Sequence, residues 1–63
     1  DMSNFNANWK FEPKPIAYVV VDRSQGDTHV GDPFGSKSTA LDKAHELNAK
    51  RDTTRYGVKP VYA

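Results

Sequence analysis

Residues Gly31 to Thr39, GDPFGSKST, bring a glycine, a lysine and a hydroxyl side chain into nearly the spacing of a phosphate-binding loop, G-x-x-x-x-G-K-[ST]. Gly31, Lys37 and Ser38 fit the pattern, while Ser36 stands where the second glycine belongs. Such a loop wraps consecutive backbone N–H groups around a phosphate, and Pro33 removes one of those donors. It also joins a parallel strand to a helix beside a magnesium-binding aspartate, a frame too large for 63 residues. The stretch therefore reads as turn and cap: Pro33 ends a strand, Gly35 lets the chain turn, and Ser36 caps a helix.

His29 between Asp27 and Asp32 offers the ligand types of a zinc or manganese site, but aspartates at these positions also serve hairpin geometry. No serine–histidine–aspartate spacing is recognisable, and the chain has no cysteine. A domain of this size closes a water-excluding pocket with difficulty. The expectation is a non-enzymatic protein with no catalytic residue, no metal and no cofactor.

The side chains that suit binding lie towards the C-terminus. Lys50, Arg51, Arg55 and Lys59, with Tyr56 and Tyr62 among them, combine cations with aromatic faces, and Trp9 and Phe11 add a second aromatic pair near the N-terminus. Residues 1–35 carry three basic and five acidic groups, a net of −2, while residues 36–63 carry six basic and three acidic, a net of +3. The molecule is electrically two-sided. A net charge of +1 is far from that of a dedicated nucleic-acid binder, so a protein is the expected partner. Nucleic acid is the alternative, held through phosphate contacts and base stacking on the basic and aromatic patch.

The elements that must position these groups follow from periodicity. Ile16 to Asp22, IAYVVVD, is rich in β-branched and aromatic residues and reads as a strand closed by turn residues Arg23 to Asp27. Thr28 to Asp32 returns as an edge strand that Pro33 ends. A helix follows from Lys37 to Lys50, with Ala40, Leu41, Ala44 and Leu47 in a stripe of roughly 120°. After the polar link 51–54, alternation from Tyr56 to Tyr62 gives a third strand, placed at an edge by Pro60. The fold class is α+β, a ββαβ chain whose three-stranded antiparallel sheet has strand order 2-1-3 and one amphipathic helix on one face. Residues 1–8 read as a flexible tail and 9–63 as a single small domain.

Ala17, Val19 and Val21 alternate with Tyr18 and Val20, so the central strand is apolar on both faces, and one helix covers only one of them. The other face awaits the Trp9/Phe11 segment, a second copy in a homodimer, or a partner protein. A chain this short buries only about 60% of its unfolded surface. Without cysteine it gains nothing from disulfides, which fits a reducing cytoplasmic setting. No apolar run reaches the ~18 residues of a membrane span, and the first residues lack the order of a signal peptide.

From Ile16 onward, YVVVDRSQG, then PFGSKSTALDKAHELNA, then YGVKPV, the chain resembles short ββαβ open reading frames of phages and prophages. In layout it is similar to the small early proteins by which some podophages inhibit host RNA polymerase. Those share a Met-Ser-Asn start, here Met2 to Asn4, a helix patterned like TALDKAHEL, and a Val-Arg-Pro tripeptide that Val58-Lys59-Pro60 resembles. The resemblance implies a phage-encoded protein in the host cytoplasm that docks on the polymerase through basic residues of its last strand. Lys59 matches one of them, and Gly57 stands where the other falls.

Overall fold

The computed structural model describes residues 13–63. Strand β1 (Ala17–Asp22) is followed by a short 3-10 turn (Arg23–Gln25), β2 (Thr28–Phe34), helix α1 (Lys37–Arg51) and β3 (Tyr56–Val61). The strands are antiparallel and ordered β2-β1-β3, so the most apolar strand is central, as its composition requires.

Helix α1 starts where the sequence provides a cap. The Ser36 hydroxyl accepts from the Thr39 amide at 3.3 Å and also meets the Thr39 hydroxyl at 2.8 Å. At the other end Asp52 takes the left-handed conformation (φ 52°), which lets the Thr53 amide reach the Asn48 carbonyl at 2.9 Å. Ala40 and Ala44 are fully buried, and their small side chains bring the helix close to the sheet. There Val20, Ala44 and Tyr56 form the centre of the core, with Val30, Phe34, Leu47 and Val58 packed around them. Full burial of a valine such as Val20 contributes about 2 kcal/mol.

Strand β2 runs further than the proline rule allows. Val30 pairs with Val20 and Phe34 with Tyr18, so β2 uses four positions where β1 uses two. The extra residues form a bulge with Gly31 at φ 76°, and Pro33 lies within it, where the regular ladder needs no N–H. Because two residues are inserted, Phe34 returns to the helix side and joins the core.

The open second face expected from the alternation of β1 is closed at its centre. Val19 and Val21, which point away from the helix, are each 1% exposed. Two cations lie on that side: the Arg23 guanidinium rests against Gly57, and Lys59 reaches across to Asp27 in the β1–β2 connection. The proposed cover by Trp9 and Phe11 lies outside the described residues. The large apolar side chains that are exposed, Ile16 and Tyr62, sit at the far end of the sheet.

Candidate functional site

Strand β3 sorts the predicted binding residues onto two sides. Tyr56 pairs with Asp22 and Val58 with Val20, which turns both towards the helix, whereas Gly57 and Lys59, opposite Val21 and Val19, face away from it. Tyr56 is 6% exposed, so it is a core residue and offers no stacking surface, a correction to its place in the aromatic patch. Tyr62 and Lys59 are exposed.

Arg55 is also drawn inward. Its Nη2 donates to the Tyr56 hydroxyl at 2.9 Å, its guanidinium carbon lies 5.0 Å from the Tyr56 ring centroid, and its Nε stands 3.2 Å from Asp22 Oδ2. The last contact is an ion pair and not a hydrogen bond, because Nε remains a buried donor without an aligned acceptor among the described residues. Asp22 is 7% exposed, and its carboxylate accepts from the Ser24 amide at 3.0 Å and the Ser24 hydroxyl at 2.6 Å. These hydrogen bonds, aided by the charges of Arg55 and Arg51, hold its carboxyl below the usual carboxylate range against the opposing effect of burial. The hydrogen bond to Tyr56, more than the charge of Asp22, raises the pKa of Arg55.

The patch of Lys50, Arg51, Arg55, Tyr56, Lys59 and Tyr62 is therefore not one surface. Arg55 and Tyr56 build the junction of β1 and β3, Lys50 and Arg51 close the last turn of α1, where they complement the helix dipole, and Lys59 stands on the opposite face of the sheet.

On that face the structure brings in a residue that periodicity did not single out. Arg23, exposed and just past the end of β1, lays its guanidinium over Gly57, where a β-carbon would overlap its Nη2, Nε and Cζ atoms. Gly57 thus carries a cation delivered from the turn that follows the neighbouring strand. Lys59 lies on the same side of β3, about 7 Å further along at two strand residues. Its ammonium is 3.1 Å from the Asp27 carboxylate, and both partners are largely open to solvent. Among the described residues no carboxylate pairs with Arg23.

Among the described residues there is no cluster of His, Cys, Asp or Glu that could hold a metal, and no helix is long and apolar enough to cross a membrane. No family model, curated protein or solved structure matches the chain.

Proposed function

We propose that this chain is a small non-enzymatic binding protein of phage type that docks on a host protein in the cytoplasm and modulates it, with host RNA polymerase as the lead target and inhibition of transcription as the effect. The observation that carries the reading is Lys59: it projects from an edge strand with 55% of its side chain exposed, within the Val58-Lys59-Pro60 tripeptide on which the resemblance to polymerase inhibitors rests. Tyr62, three residues beyond Lys59, and Ile16 supply exposed apolar area at the end of the sheet away from the Asp27 turn. Cation beside apolar surface suits a protein interface, where arginine and tyrosine anchors dominate the energy. The nucleic-acid reading loses Tyr56 to the core, and Arg55, though its side chain is 38% exposed, is engaged by Asp22 and the Tyr56 hydroxyl.

Purified bacterial RNA polymerase holoenzyme provides the test. The chain is expected to co-elute with the enzyme and to reduce promoter-dependent transcription, and Lys59→Glu is expected to weaken both effects together. Absence of co-elution and of inhibition at a large molar excess would remove the polymerase as the target.

A further inference from the structure

Resting on that reading of a protein-binding sheet face, we propose that Arg23 and Lys59 form a carboxylate-binding surface for an acidic protein segment, and that Asp27 occupies it in the free chain as an internal stand-in. The surface is built by backbone geometry. Gly57 lacks the atom that would push the Arg23 side chain away, so the guanidinium rests against β3 while Arg23 as a whole stays exposed, and its planar set of N–H donors suits a carboxylate. Lys59 contributes a second cation on the same face. Its present partner shows what it binds: Lys59 Nζ donates to the Asp27 carboxylate of the chain itself at 3.1 Å.

Asp27 is well placed to be displaced. Its backbone is fixed by a left-handed φ of 61° and by a hydrogen bond from its amide to the Asp22 carbonyl, so the turn does not depend on the side chain. The ion pair itself is exposed, and exposed pairs contribute between about 0.2 and 1 kcal/mol. An incoming acidic segment would therefore meet two cations, one unpaired among the described residues and one weakly engaged. The remaining side chains facing this surface favour the same ligand: His29, opposite Val21, adds no negative charge, and Gly57 and Val61 are neutral. A protein carboxylate is preferred to a nucleic-acid phosphate here because the surface is built on two cations, whereas nucleic-acid affinity grows with the number of phosphates neutralised.

The full chain, labelled with nitrogen-15 and titrated with a deca-glutamate peptide, tests this by amide and arginine side-chain shifts in NMR. The expected result is that shifts concentrate on Arg23 Nε–H, Gly57, Lys59 and Asp27. Asp27→Asn, which keeps the left-handed turn, should bind the peptide about 1.4 to 5 times more tightly, the range of an exposed ion pair. Arg23→Gln should bind more weakly than the unmodified chain. Shifts confined to Lys50 and Arg51, no shifts at all, or an Asp27→Asn affinity that is unchanged or lower would overturn the proposal. So would a deca-thymidylate that binds the same residues more tightly than the peptide does. Failure against polymerase with success against the peptide would reject the target and keep the surface, and the reverse outcome would reject the surface alone.

Discussion

Asn48 on α1 grips both backbone groups of Tyr56 on β3: its Nδ2 donates to the Tyr56 carbonyl at 3.1 Å, and its Oδ1 accepts the Tyr56 amide at 2.9 Å. The side-chain amide thus does for the outer edge of β3 what a fourth strand would do. The relationship also explains the register, since the Arg23 amide donates to the Arg55 carbonyl at 2.9 Å and alternate residues of β3 then turn their backbone groups outward. Tyr56, Val58 and Pro60 are those residues, so the missing N–H of Pro60 falls on the solvent edge, where it costs no ladder bond.

Replacing Asn48 with Ala should therefore destabilise the domain by about 1–2 kcal/mol, the cost of leaving a partly buried donor and acceptor unmet less a small gain in helix propensity. The urea midpoint should fall with little change in slope. An unchanged midpoint would mean that water satisfies Tyr56 as well as Asn48 does.

Asp22 should make stability sensitive to acid. Its folded pKa lies below the unfolded value of about 3.9, so the ionised carboxylate stabilises the fold above that value, and the contribution is lost as pH falls through the folded pKa. Unfolding measured between about pH 2 and 5 should show a decline that Asp22→Asn flattens, because asparagine has no charge to lose. Parallel curves for the two chains would show that another carboxylate governs the acid limb.

Much of this architecture is legible in the residues, and what is not has a physical reason. Ser36 and Pro60 are readable because a cap and a missing donor act locally. Pro33 misleads because the rule that proline ends a strand holds for a regular ladder, and a bulge suspends it. Alternation places Tyr56 on a face of β3, but only the pairing with Asp22 and the helix position decide that this face is the core. Arg23 escapes altogether: its contact with Gly57 joins two distant segments, and no local pattern sets where a flexible guanidinium comes to rest.

The N-cap gives a direct check on α1. Ser36→Ala removes the acceptor of the Thr39 amide and should cost about 1 kcal/mol. For a domain of this size that corresponds to a fall in melting temperature of roughly 4–8 °C. A shift of less than a degree would mean that Ser38 or solvent takes over the cap.

Asp52 offers the opposite sign. It holds the left-handed conformation at the helix C-terminus, a position that favours glycine, and its negative charge faces the negative end of the helix dipole. Asp52→Gly should raise stability by about 0.5–1 kcal/mol despite the greater freedom of the unfolded chain, read as a higher melting temperature. A lower melting temperature would show that the Asp52 side chain makes a favourable interaction in solution.

Gly57 separates folding from binding most cleanly. An alanine there overlaps only the end of the Arg23 side chain, which can swing aside, and alanine suits a strand interior better than glycine by roughly 0.5–1 kcal/mol. Gly57→Ala should therefore leave thermal stability unchanged or slightly improved, while it lifts the guanidinium from β3 and weakens binding of an acidic peptide to about the level of Arg23→Gln. Circular dichroism melts and the same NMR titration measure both quantities on one sample. If affinity survives intact in the stable variant, then Arg23 does not need its close seat against Gly57, and the reason for a glycine at the second position of β3 lies in backbone packing alone.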